Sequence, residues 1–128
     1  MNAELRTPMK IARGLGSAKS GAHHFMVQRI TAVALAALGL WFVWIALEML
    51  RMDYAAAHAL IAKPYNAVLM ISFAIAAFWH AQLGLQVVIE DYVHARGLEI
   101  TLQIGVKFVC FLGAAASVLA VIRIALGS

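Results

Sequence analysis

Three long apolar runs, at residues 30–50, 65–89 and 100–126, are separated only by short polar links, and they decide what this chain can become. A bilayer core takes about 20 residues of helix to cross, and each run is long enough. Inside lipid every backbone N–H and C=O must be paired within the protein, which leaves helices or a closed barrel. The runs lack the apolar–polar alternation of barrel strands, so we read an all-α membrane protein with three transmembrane helices. Composition agrees. The 128 residues are 64% hydrophobic and 12% charged, with a mean hydropathy of +0.88. That is too little polar surface to cover a soluble domain of this size.

The polar segments complete the layout. Residues 1–28 read as a cytoplasmic arm on the membrane surface, in which Arg6, Lys10, Arg13 and Lys19 outweigh Glu4 and several glycines break helical continuity. The apolar run that follows is too long for a signal-peptide core and is read as a mature helix. Residues 51–64 read as a polar loop, with Pro64 suited to the first turn of the next helix. Residues 90–99 read as a second connection, with Gly97 as its breaker. The whole chain, 1–128, is then one membrane-anchor domain without a soluble head. Arg6, Lys10, Arg13, Lys19, Arg29 and Arg96 fall on one side of the membrane, and Arg51, Lys63 and Arg123 on the other. The positive-inside rule therefore puts the N-terminus inside and the C-terminus outside. The net charge of +4 suits anionic lipid headgroups or an acidic partner, with no nucleic acid, because the basic residues flank apolar runs and do not interleave with aromatics. A single cysteine, Cys110, excludes an internal disulfide and reads as a packing residue.

His80 is the first candidate for chemistry. It sits about nine residues inside the second run, roughly 13 Å deep at 1.5 Å per residue. Two readings stand: a neutral imidazole hydrogen-bonded between helices, or an axial ligand to a haem iron. Ala76 and Gly84, one turn to either side, would let a flat macrocycle or a neighbouring helix approach. Asp91 and Tyr92 follow where the second helix leaves the membrane. If the helix continues that far, Asp91 shares the face of His80. Spacing alone reads Tyr92 as an aromatic-belt anchor; the alternative is a hydrogen bond to a quinone carbonyl. His23, His24 and Arg29, just before the first helix, read as a headgroup-facing cluster or as partners for haem propionates. Lys107 reads as a snorkelling side chain, and His58 and His94 as surface histidines. Were His80 to bind iron, the chain offers no second strong ligand at that depth except Cys110. The first helix presents residues 38–40 there and the third residues 108–110. A second axial histidine would have to come from another membrane chain.

Two stretches carry a resemblance: residues 20–32, SGAHHFMVQRITA, and residues 80–93, HAQLGLQVVIEDYV. Both resemble the small hydrophobic membrane-anchor subunit, of cytochrome b type, of bacterial succinate dehydrogenase (respiratory complex II). His80, Gly84, Asp91 and Tyr92 match that family's spacing, as do Gly21, His23 and Arg29. The resemblance implies that His80 is one axial ligand of haem b and binds its iron. It implies that Tyr92 hydrogen-bonds ubiquinone with Asp91 supporting that site, and that Arg29, with His23, lies near the haem propionates or the quinone entrance. It further implies a second anchor subunit supplying the other haem ligand, an iron–sulfur subunit, a flavoprotein subunit and the bacterial cytoplasmic membrane, with the mitochondrial inner membrane as the second location. The role is electron transfer, with no catalytic residue in this chain: one cysteine cannot hold a cluster, and no glycine-rich strand–helix turn is present for flavin phosphates. The rival readings are the anchor of a fumarate reductase or other quinone-linked dehydrogenase, and a haemless membrane scaffold or transport subunit.

The charge asymmetry makes a direct prediction. In a Cys110-free background, cysteines placed at Ser17 and, separately, at Ala57 should react with impermeant thiol reagents from opposite sides of the membrane. Labelling of both from one side would contradict the helix count.

Overall fold

The computed structural model describes Met9 and residues 21–127. The reading of a short amphipathic or irregular arm before Gly21 therefore lies outside the described residues, apart from Met9, which is helical. Among the described residues the structure is wholly helical: α1 (Gly21–Met49), α2 (Tyr54–Ala62), α3 (Pro64–Tyr92) and α4 (Arg96–Leu126). Three of these, α1, α3 and α4, are long and apolar enough to cross a membrane.

The helices outrun the apolar runs that announce them. The first begins at Gly21 and not near Ile30, so residues 21–28, expected in a surface arm, form the first two turns of the helix. A 29-residue helix is ~43 Å long at 1.5 Å per residue, which matches the bilayer with its headgroup layers. Hydropathy marks where the hydrocarbon ends; the helix goes on through the headgroups because its hydrogen-bond ladder does not depend on lipid. The same holds for α3, which runs on to Tyr92, and for α4, which begins at Arg96. The connection expected at 90–99 shrinks to residues 93–95, and Gly97 lies in the first turn of α4, where it breaks nothing. The break falls at Val93 and Ala95, both in extended backbone conformation.

The expected loop at 51–64 is also corrected, because it holds the nine-residue helix α2. Asp53 supplies the start: its carboxylate accepts the Ala56 N–H at 2.8 Å, closing an orphan donor of the first turn. The alanine-rich sequence that follows favours helix. At the other end the Asn66 side chain, 2% exposed, donates to the Leu60 carbonyl at 2.8 Å and so satisfies one of the last free carbonyls of α2. Pro64 opens α3 as expected. Gly127 closes α4 at φ 72°, with its N–H turned back to the Arg123 and Ile124 carbonyls, the left-handed cap that glycine adopts without Cβ strain.

α3 is the central span. It packs antiparallel to α1 on one side and to α4 on the other, and α2 packs against both α3 and α4. Phe42 of α1 stacks on Phe73 of α3, with ring centroids 4.5 Å apart, and Ile45 beside it is 1% exposed. Between α3 and α4, Phe78 lies against Gly113, where an added Cβ would overlap the Phe78 ring. Most large apolar side chains face outward, towards lipid or another chain.

The Phe78–Gly113 approach sets a stability test. Gly113→Leu should lower the unfolding free energy by about 1–3 kcal/mol, the usual cost of overpacking, read as an earlier thermal transition of the detergent-solubilised protein. A Gly39→Leu control, at a position with nothing near its Cβ, should leave that transition close to the parent.

Candidate functional site

The site is built on one face of the first turns of α1 and the facing stripe of α3. His24, Gln28 and Thr31 recur at the i, i+4, i+7 spacing that aligns side chains on a helix. α3 presents Val87, Gly84 and His80 to them in antiparallel order. The deepest pair is the tightest: Thr31 Oγ1 lies 3.0 Å from His80 Nδ1. Thr31 is 7% exposed, and its hydroxyl also reaches back to the Val27 and Gln28 carbonyls, each at 3.0 Å. Back-bonding of this kind lets a threonine sit in a membrane helix without an unpaired hydroxyl. His80 is half-buried and stands twelve residues before the end of α3, ~18 Å along the axis.

The expected depth match is therefore corrected. The residue of α1 that faces His80 is Thr31, not one of residues 38–40, because α1 starts earlier and α3 ends later than the apolar runs suggest. The α4 side holds closer to expectation. Cys110 is buried and lines a small cavity with Phe78, Trp79 and Gln82, next to His80 in sequence.

Towards the N-terminus of α1 the stripe opens into a cavity of about 600 Å³, lined by His24, Gln28, Arg29, Gly84, Gln86 and Glu90 among others. Gly84 lies against Gln28: a Cβ on it would stand 3.8 Å from Gln28 Nε2, in ordinary contact. Two polar atoms on the lining, His24 Nε2 and Gln28 Oε1, are buried and have no hydrogen-bond partner among the described residues. A buried polar atom left unpaired costs ~1–3 kcal/mol, so their presence asks for a ligand or partner atom. Arg29 contributes the cation, its guanidinium stacked 4.5 Å over the Phe25 ring.

Beyond the cavity, α3 remains helical through Asp91 and Tyr92, so Asp91 does share the face of His80. Both side chains are exposed, Tyr92 at 78%. Beside them a polar network ties α3 to α4. Gln86 donates to Glu90 at 2.8 Å, and Gln103 of α4 donates to Glu90 at 3.4 Å and to Glu99 at 3.3 Å. Each glutamine N–H here meets a carboxylate oxygen, which fixes the corner from which Asp91 and Tyr92 project.

The structure thus pairs His80 with Thr31 and puts Arg29 on the wall of the neighbouring cavity, while Asp91 and Tyr92 end α3 beyond that cavity. His23 is exposed and does not line the cavity; its neighbour His24 does. Sequence reasoning missed Thr31, Gln28 and the Gln86–Glu90–Gln103 network. The available signal was a threonine and three glutamines on otherwise apolar faces, and it points nowhere until the helix register is known. Among the described residues no three histidine, cysteine or acidic side chains converge as a metal site.

The comparison with known proteins fits this geometry. Residues 3–114 match the model of the succinate dehydrogenase/fumarate reductase transmembrane subunit family. The chain belongs to this family. Its relatives fall on the succinate dehydrogenase side. It is 37% identical over 121 residues to the succinate dehydrogenase hydrophobic membrane anchor subunit of Rickettsia bellii, covering 94% of this chain and 97% of the relative. The subunit of the same name from Rickettsia conorii is 36% identical over 110 residues, 85% of this chain and 87% of the relative. That from Paracoccus denitrificans is 30% identical over 122 residues, 95% and 94% respectively. No solved structure matches the chain at a significant level. Three spanning helices and bacterial relatives of this kind place the family member as a multi-pass protein of a bacterial inner membrane.

Proposed function

We propose that this chain is the hydrophobic anchor of a succinate:quinone oxidoreductase, that it supplies His80 as one axial ligand of a haem b shared with a second anchor subunit, and that Tyr92 and Asp91 form part of the ubiquinone-reduction site. The single observation that carries the reading is His80 itself, an imidazole deep in the central span, held by one ring nitrogen to a buried threonine, with a cavity that holds a cation and two orphaned polar atoms beginning one turn further along α3 at Gly84. Ionisable side chains at such depth are costly, and they mark functional positions.

The residues fit the group. His80 Nδ1 is occupied by Thr31, which leaves Nε2 as the nitrogen for iron. The Arg29 guanidinium on the cavity wall suits a carboxylate such as a propionate, and His24 Nε2 is a buried polar atom able to donate to one. His24 takes this place in preference to His23, which is exposed. When bound, the haem supplies a one-electron redox centre within the membrane. The chain's own residues bind, orient and shield. Tyr92 offers a phenolic donor to a quinone carbonyl, and Asp91, one position earlier at the same helix end, sets the charge and hydrogen bonding around it. The site opens on the side occupied by the N-terminal part of α1, which the charge asymmetry assigns to the cytoplasm, the source of protons for quinol formation. Succinate oxidation belongs to a flavoprotein subunit, and electrons reach the quinone through an iron–sulfur subunit. A fumarate reductase anchor would share this architecture. The names of the relatives favour the dehydrogenase.

Two measurements test the proposal. The purified complex should show the reduced bands of a low-spin haem b, and His80→Leu should weaken or alter them. The chain expressed alone should hold no stoichiometric bis-histidine haem. A complex whose haem spectrum ignores His80→Leu would remove the ligand role. For the quinone, Tyr92→Phe should slow quinone reduction at limiting quinone, while succinate oxidation with a soluble artificial acceptor continues. One lost hydrogen bond of ~0.5–1.5 kcal/mol corresponds to roughly two- to twelvefold. Unchanged quinone turnover would return Tyr92 to the role of an interfacial anchor.

A further inference from the structure

Three contacts meet at one hydroxyl. Thr31 Oγ1 is 3.0 Å from the Val27 carbonyl, 3.0 Å from the Gln28 carbonyl and 3.0 Å from His80 Nδ1. The hydroxyl has a single proton, and the two carbonyls are acceptors only. Were Thr31 to donate to Nδ1, both carbonyls would face the lone pairs of Oγ1 with no proton between them. If Thr31 instead shares its proton between the carbonyls, the contact to His80 is attractive only when Nδ1 carries hydrogen and donates to Oγ1. That assignment gives every contact its proton. Burial of Thr31 to 7% exposure leaves little room for water to supply another arrangement. A neutral imidazole has one N–H, so the proton on Nδ1 leaves Nε2 with its lone pair free.

We infer that Thr31 is a positioning residue that locks His80 in the Nδ1–H tautomer and thereby presents Nε2 as an unprotonated metal ligand. The inference rests on the haem-ligand role proposed above for His80. A ligating histidine whose other nitrogen donates to a fixed acceptor has its tautomer and ring plane set, and its ring becomes the stronger electron donor. Stronger donation favours ferric over ferrous iron, so Thr31 holds the haem potential down. The acceptor is a neutral hydroxyl and not a carboxylate, so it tunes the potential moderately. The acceptor also comes from α1 and the ligand from α3, so the α1–α3 register would contribute to the tuning.

The test uses the whole purified complex, with redox titration and low-temperature electron paramagnetic resonance of the oxidised haem. Thr31→Val keeps the volume and removes the hydroxyl; Thr31→Ser keeps the hydroxyl and removes the methyl. Thr31→Val should bind haem with about a tenfold selective loss of ferric-state affinity, a rise of ~59 mV for one electron, with a shifted low-spin signal. Thr31→Ser should titrate with the parent. Loss of haem in Thr31→Val, with retention and parental potential in Thr31→Ser, supports the same conclusion in stronger form. An unchanged potential and signal in Thr31→Val would overturn it, and so would equal changes in both variants, which would assign the effect to packing. His80→Leu distinguishes the two levels. If the haem ignores that substitution, the ligand role of His80 fails. If it responds to His80→Leu and not to Thr31→Val, only the Thr31 inference fails.

Discussion

A backbone in hydrocarbon has no water to pair with, and the rest of this architecture follows from that shortage. Each segment that enters the bilayer satisfies its amides internally as helix, and each exit has to be closed by something other than the ladder: Asp53 at the start of α2, Asn66 at its end, Gly127 after α4. The requirement also removes the usual reason for helices to associate. Lipid is as apolar as leucine, so packing α1 on α3 gains little from burial alone, and close contacts and polar pairs carry the association instead. Gly113 accepting the Phe78 ring, Phe42 stacked on Phe73, Gln103 bridging Glu90 and Glu99, and Thr31 paired with His80 are the points at which the register is set.

The Thr31–His80 pair belongs to both accounts. As a packing element it joins two spans through a hydrogen bond in a medium where the alternative is an unpaired imidazole nitrogen. As a functional element it decides which nitrogen of His80 is available. A polar contact this deep has to be complete to be tolerated, and Thr31 completes it by returning its own proton to the backbone of its own helix. Structure and proposed function therefore place the same demand on the residue: a side chain that accepts from outside while remaining satisfied within.

The number of spans, their order and their helical character were legible in the sequence, because hydropathy over some 20 residues is a direct measure of the solvent a segment prefers. The helix ends were not. Gly21, Tyr92 and Arg96 lie beyond the apolar runs, and backbone pairing and caps, not hydropathy, set those ends. α2 was hidden for a related reason: Arg51, Asp53, His58 and Lys63 make residues 51–64 look like a polar link, while the alanines between them build a helix behind the Asp53 cap. His80 and Arg29 could be singled out from chemistry alone, since an imidazole in lipid and a cation at its edge are conspicuous one at a time. Thr31 could not. It matters through its distance to His80, and the α1–α3 register that fixes the distance was misplaced by about two turns when the apolar runs alone set the helix ends.

The exposure of the remaining site residues says what must happen next. Tyr92 is 78% exposed and Asp91 and Arg29 are exposed as well; Arg29 lines the cavity of about 600 Å³, and Asp91 and Tyr92 follow its wall residue Glu90 in sequence. A wall of that kind holds a ligand only when another surface closes over it. His24 Nε2 and Gln28 Oε1 sharpen the point, because each lies buried without a partner among the described residues, at ~1–3 kcal/mol apiece. A ligand or subunit that supplies their partners recovers that energy and binds the folded chain in preference to the unfolded one, so occupancy stabilises the fold by mass action. In this chain the strain of the unfinished site and the stability of the assembled complex are two sides of one equilibrium. Of the three buried side-chain atoms without a partner among the described residues, two, His24 Nε2 and Gln28 Oε1, lie on the stripe where cofactor and partner are proposed to sit, and the third, Asn66 Oδ1, lies at the α2–α3 junction.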